Sequence, residues 1–270
     1  MSPASRSIAL LVLALSLSAC AGQSFPPAAN PGASSAVGAT EAGPTPQALS
    51  AGTHSTANFR PTLTFTVPAG WELVADTPNW VQLRPAGVEN LGIYLFRDAR
   101  AASQDPACPT TPADGVGMTS SELTAFFRGL PGLVAGSPAL VSVGGLNGAS
   151  IDLGLTQGWT LSCPFAGGVP TVPLLMNAGI DRWVLAGGER LRFYFLDLPA
   201  GNVVVDVDDF EGSQIDTLIA SSTPIIKSFV FADDAGPGAS PSAAASPAAG
   251  SPAASAAASP VVSPSVSAAP

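Results

Sequence analysis

The densest group of residues able to do chemistry is the stretch DVDDFEG, which sets Asp206, Asp208, Asp209 and Glu211 at the end of the apolar run Val203 to Val207. Four carboxylates would offer hard oxygen ligands to calcium. The spacing departs from an EF-hand loop, because Phe210 stands where a ligand belongs and the glycine comes late. Paired with Glu189 or Asp181, the same acids would supply the two carboxyls of a glycoside hydrolase. The plainer expectation is a strand ending in a solvated acidic turn that leads into a helix, with no metal and no cofactor bound. Nucleophilic catalysis by Ser or Cys needs a base, usually histidine, and the one histidine, His54, falls in a linker-like stretch. No G-x-S-x-G elbow, P-loop, H-E-x-x-H or dinucleotide glycine motif occurs in the sequence. Trp71, Trp80, Trp159 and Trp183 would stack sugars if exposed, and read as core residues if buried.

Three cysteines carry the remaining reactive chemistry: Cys20, Cys108 and Cys163. The segment Ile8 to Leu17 is apolar except for Ser16 and follows the single charge of Arg6. It is shorter than the about 20 residues that cross a bilayer and has the form of a signal-peptide core over residues 1–19. The next residues, Leu17-Ser18-Ala19-Cys20, resemble a bacterial lipobox. That resemblance implies cleavage before Cys20 and acylation of its thiol, with palmitate among the chains, holding the protein on the outer face of the cell membrane. Each buried acyl methylene adds about 0.8 kcal/mol, so two or three chains anchor where one does not. Ala19 and Ala21 also form an A-x-A site, whose cleavage would remove Cys20 instead. With Cys20 assigned to lipid, Cys108 and Cys163 remain as an even pair in an exported chain, and a disulfide is expected. Two free thiols or a two-cysteine metal site completed by other ligands are the competing readings.

Ten basic and 19 acidic residues give a net charge of −9, and Lys227 is the only lysine. A phosphate-binding surface needs clustered Lys and Arg, so nucleic acid is not an expected partner. An anionic lipid surface would repel the folded part rather than bind it. Residues 20–58 are rich in Ala, Gly, Ser, Thr and Pro and too poor in large apolar side chains to fold, which reads as a lipidated disordered tether. Residues 235–270 carry no charge and repeat Ser-Pro, as a low-complexity disordered tail does.

Between these flanks, residues 59–234 have the size and composition of one domain. Apolar residues at a period of two predict strands over 63–67, 80–84, 92–97, 140–143, 149–155, 160–164, 182–186, 190–198 and 202–208. Turns are expected at Asn147-Gly148 and at Pro199 to Asn202. The spacing Thr119-Ser120-Ser121-Glu122 predicts a capping box, followed by a helix with Leu123, Phe126 and Phe127 on one face, ending at Gly129 and Pro131. A second helix is expected from about Ser213, with Ile215, Leu218, Ile219, Ile225 or Ile226 and Phe229 at helical spacing and Pro224 kinking or restarting it. The order is strands, helix, strands, helix and a closing strand, which predicts an α+β fold around a mainly antiparallel sheet with two packed helices.

The opening FTVPAGWELV and the closing IIKSFVF resemble the PsbP-like family of α-β-α sandwiches, which includes mycobacterial lipoproteins of the LpqN kind. The resemblance implies a binding or assembly role with no shared catalytic residues. The expectation is therefore a membrane-anchored extracytoplasmic domain that catalyses nothing and binds another envelope protein or a small apolar ligand. The alternative is a lipoprotein that binds or hydrolyses cell-wall glycan.

Overall fold

The structure, a computed structural model, describes residues 45–232. Cys20, the signal segment, the first part of the expected tether and the Ser-Pro tail lie outside the described residues. In chain order the elements are β1 (Gln47–Leu49), β2 (Gly52–Ser55), β3 (Leu63–Val67), β4 (Trp71–Asp76), β5 (Trp80–Pro85), β6 (Leu91–Arg97) and β7 (Arg100–Ala101). There follow α1 (Ser120–Gly129), β8 (Leu133–Ala135), β9 (Ala139–Val143), β10 (Leu146–Leu155), a single 3-10 turn at Pro164–Ala166, β11 (Thr171–Asn177) and β12 (Ile180–Ala186). The chain closes with β13 (Arg190–Asp197), β14 (Asn202–Asp209), α2 (Ile215–Lys227) and β15 (Val230–Phe231).

One large sheet runs β1-β4-β5-β6-β14-β13-β10-β8, with β9 also paired to β10, and its neighbours are antiparallel. Period-two alternation divides its side chains between two cores. Leu83, Ile93, Leu95, Val203, Val205 and Val207 face a layer made of α2 and the small sheet β15-β3-β2. Phe96, Ile151, Leu153, Phe193, Phe195 and Val204 face the opposite layer, made of α1 and the small sheet β12-β11-β7. The result is α+β, sheet-dominated, with one helix on each face.

Both helices form where the apolar spacing places them. Thr119 caps α1, accepting from the Glu122 N–H while the Glu122 side chain accepts from the Thr119 N–H, the reciprocal bonds that the sequence predicts. Leu123 and Phe127 are the buried stripe, and Phe127 stacks on Phe195 of β13 at 5.6 Å. Ser120 at the start of α1 donates through both its N–H and its hydroxyl to Asp197, tying the helix to the end of β13. The second helix is one continuous element with Pro224 inside it, so the expected restart does not occur.

Four expectations are corrected. Residues 47–55 are not tether: β1 pairs with β4, β2 pairs with β3, and Leu49 is buried. The Asp76 carboxylate accepts from the backbone N–H groups of Ala57, Asn58 and Phe59, and so ties the following residues to β4. His54 therefore belongs to the fold, on β2, with its Nε2 2.8 Å from the Ser50 carbonyl. The expected strand over 160–164 is instead the approach to the 3-10 turn, with Pro164 at its first position and Cys163 drawn to Cys108. The β9–β10 hairpin turns at Gly144-Gly145, whose φ of +60 and +85 suit glycine, while Asn147 and Gly148 lie inside β10. Finally, β4 and β11 are strands that the period-two reading passes over, β11 because Pro173 interrupts its pattern at a register shift against β12.

Cys108 and Cys163 form a disulfide with Sγ–Sγ 2.03 Å, and both residues are buried with Ala166. The pair closes a separation of 55 residues, so its loss should cost about 4 kcal/mol in the chain-entropy model. Replacing both cysteines with alanine is expected to lower stability by that order in denaturant unfolding. A protein beginning at residue 45 should unfold like the longer chain. One beginning at residue 59 should be less stable by more than about 2 kcal/mol, the loss of Leu49 burial alone being of that size.

Candidate functional site

The acids singled out in the sequence lie on β14, the strand between β6 and β13 near the middle of the large sheet. All eight residues of β14 are buried. Asp206 and Asp208 share a face with Val204 and stand beneath the β12–β13 turn, whose Glu189 is itself only 3% exposed. The expected solvated turn is therefore wrong for Asp206, Asp208 and Asp209, each 0% exposed, and right only for Glu211, which is exposed. Asp181 lies exposed on β12.

Each acid has a distinct set of bonds. The indole N–H of Trp183 donates to Asp206 Oδ2 at 2.8 Å. Ala186 N–H donates to Glu189 Oε2 at 2.7 Å, folding the turn back on itself. Asp209 accepts from the N–H groups of Glu211 and Gln214 and so organises the approach to α2. With every carboxyl ionised, Asp206 Oδ1, both oxygens of Asp208 and Glu189 Oε1 have no donor among the described residues. Buried acceptors without donors are costly. The cost would fall if Asp208 held a proton and donated it to Glu189, a bond that raises Asp208 and lowers Glu189.

Electrostatics favour that neutral form. Burial is the main cause that pushes Glu189 up to about 8, with the charges of Asp206 and Asp209 adding to it and the bonds from Asp208 and Ala186 opposing. Burial likewise raises Asp208 well above the ordinary carboxylate range, reinforced by Glu189. Asp206 is raised by burial and by Asp208, against the indole bond of Trp183. Tyr94, opposite Asp206 on β6, is raised by burial first and then by Asp208, Asp206 and Glu189. Arg84 acts the other way on Tyr94, but it is already paired with Glu72.

Aromatic rings close the cluster. Tyr94 lies 4.8 Å from Trp183, Trp183 5.1 Å from Phe96, and Phe210 6.1 Å from both Tyr94 and Trp183. Gly92 makes room for this arrangement, since a Cβ there would stand 2.8 Å from the Tyr94 ring. Gln82 donates to the Tyr94 hydroxyl at 3.3 Å. Trp71 and Trp183 are buried, and Trp80 and Trp159 half-buried, so none of the four offers a fully open ring for stacking sugar.

As arranged, the acids act as a packed polar core. No group of three or more His, Cys, Asp or Glu among the described residues is disposed to hold a metal ion. Asp206 is engaged by Trp183, Asp209 by backbone, and Glu211 points to solvent, so the four candidate ligands do not converge. A cleft of about 530 Å³ lies nearby, between the first turn of α2 (Ile215, Asp216, Ile219) and Arg190, Asp152 and Gly154 of β13 and β10. Glu189 reaches its wall. Sequence reasoning missed Tyr94 and Gln82, because the pairing of β14 with β6, which brings Tyr94 opposite Asp206, joins strands far apart in the chain.

No family model and no curated protein matches the chain. Among solved structures, it is similar to the cyanobacterial PsbP protein (CyanoP) of Synechocystis sp. PCC 6803, with 12% identity over 68% of this chain and 95% of that one, at a TM-score of 0.34. It is similar to LpqN of Mycobacterium tuberculosis, described as involved in cell envelope biogenesis, with 14% identity over 69% and 88% and a TM-score of 0.31. A Bacteroides thetaiotaomicron VPI-5482 protein aligns with 8% identity over 64% of this chain, which spans less than half (46%) of that one, at a TM-score of 0.29. Scores this low assign neither a family nor a function.

The raised carboxyls make stability depend on pH in a stated direction. From about pH 4, where the unfolded chain loses these protons, to about 8 for Glu189, the folded protein holds more protons than the unfolded one. Unfolding free energy should therefore fall as pH rises across that window, by on the order of a few kcal/mol. Denaturant melts at pH 5 and pH 8.5 test this, and Glu189→Gln should reduce the difference by removing one of the titrating groups.

Proposed function

We propose that this protein is an exported lipoprotein, held on the outer face of the cell membrane through Cys20, whose folded part is a PsbP-like α-β-α sandwich that works by binding. The observation that carries the exported reading is the buried Cys108–Cys163 disulfide, because such bonds persist in oxidising compartments and are rare in reducing ones. The lipobox-like LSAC supplies the anchor. No helix among the described residues is long and apolar enough to cross a membrane. The sandwich reading draws on the packing of α1 and α2 against opposite faces of one antiparallel sheet and on the strand β15 that follows α2.

The binding reading draws on how the acids are used. A glycosidase needs its two carboxyls open to the sugar on either side of the scissile bond. Here Asp206 and Asp208 are 0% exposed, and Glu189, although it reaches the wall of the cleft, is only 3% exposed, so the pair is not open to a sugar. Anchoring raises the local concentration of a domain near envelope partners, which benefits weak binding directly. The net charge of −9 favours a basic or neutral partner.

Cells expressing the chain should incorporate labelled fatty acid at Cys20, and Cys20→Ser should abolish both label and membrane retention. Label that persists in the variant would remove the anchor. The soluble chain should show no turnover of cell-wall glycan or ester substrates. Turnover lost on Asp206→Asn or Asp208→Asn, in variants shown to be folded, would replace the binding reading with the hydrolase.

A further inference from the structure

The β9 strand forms an edge of the large sheet and pairs only with β10. Its hairpin closes in two residues, Gly144-Gly145, between the paired residues Val143 and Leu146. A two-residue hairpin makes that closing pair a hydrogen-bonded one, and such pairs alternate with non-bonded pairs along an antiparallel ladder. Val143, Val141 and Ala139 therefore direct their backbone groups to β10, whereas Leu140 and Ser142 direct theirs outward. No backbone or side-chain bond engages those outward groups among the described residues. The Leu140 side chain is 94% exposed.

Proteins guard such edges with charge, proline, bulges or shortness. The other edges here show those devices. The outer strand β12 carries Asp181 and Arg182 and pairs with β11 through register shifts. The remaining outer strands β1, β7, β8 and β15 are two or three residues long, and β2 has four. By contrast β9 reads ALVSV, five residues without a charge, and has proline only before its first residue.

We propose that β9 is a self-pairing edge, through which two copies of this chain join antiparallel about a two-fold axis at Val141. The register is fixed by the outward groups. Leu140 faces Ser142 of the second copy and Ser142 faces its Leu140, so two donors and two acceptors on each strand are all satisfied. Val141 meets Val141 of the second copy at the close, non-bonded position on the opposite face. The strand is its own complement, and no charged residue stands opposite another. The contact is small beside the about 800 Å² per partner of a standard stable interface, and the copies repel weakly through their net charge, so the dimer is weak in dilute solution. This pairing rests on the anchored reading above, since tethering to one membrane supplies the millimolar effective concentration that a weak contact needs.

Sedimentation velocity of the full chain carrying Cys20→Ser, so that no acyl group drives association, tests the pairing over a series reaching the millimolar range. The dimer fraction should rise with concentration, together with protection of the Leu140 and Ser142 amides from hydrogen exchange. Ser142→Pro removes an outward donor without removing a bond to β10, and should weaken dimerisation at least tenfold while leaving the monomer's melting transition in place. Should that variant unfold, Leu140→Lys serves the same purpose by placing like charges across the axis. A chain that is monomeric throughout, or a dimer indifferent to the folded variant, overturns the proposal. The anchor is read separately by fatty-acid label: a labelled chain that stays monomeric removes only the edge pairing, and an unlabelled chain that dimerises through β9 removes only the anchor.

Discussion

A strand buried on both faces must neutralise or bond every polar group it carries, and β14 carries three aspartates with no exposure at all. A proton held by Asp208 and donated to Glu189 would satisfy that pair, while an indole bond serves Asp206 and backbone donors serve Asp209. Each of these fixes a neighbouring element. Glu189 holds the β12–β13 turn over the sheet, Trp183 holds β12 itself, and Asp209 sets the chain on its course to α2. The acids thus position the layers on both sides of the sheet, and replacing the cluster with apolar residues would remove these constraints along with the desolvation cost.

This arrangement bears on function by subtraction. Groups that would attract a substrate or cation if exposed are consumed inside the fold, so under the proposed binding reading recognition would fall to the periphery: the cleft beside α2, the loops about the disulfide and the sheet edges. The N-terminal segment belongs to that periphery as well, since β1 and β2 extend the large sheet and the small sheet in different layers. Any tether to a membrane therefore ends before β1 at Gln47 rather than at residue 58.

Much of this fold is legible in the sequence wherever a local rule operates alone. The capping box at Thr119 and Glu122, the apolar stripe of α2 and the alternation of β3 and β13 each follow from short-range chemistry and appear where expected. The failures occur where a distant partner decides. QALSAGTHS has the composition of a linker, yet it becomes two strands because β3 and β4 present edges to it. The DVDD run looks solvated in isolation, and only its place between β6 and β13 buries it. Cys163 was legible as a disulfide partner, but its local backbone follows the crosslink and Pro164 rather than a strand pattern.

The central claim is that Asp208 and Glu189 share a proton as part of the core. Infrared spectroscopy of the folded protein at neutral pH addresses it directly, because a protonated carboxylic acid and a carboxylate absorb differently. The account predicts an acid carbonyl band that resists exchange with solvent deuterium and weakens in Asp208→Asn. A spectrum with only ionised carboxylates at neutral pH would contradict it, and would mean that the cluster holds a cation or admits water and is a binding site after all.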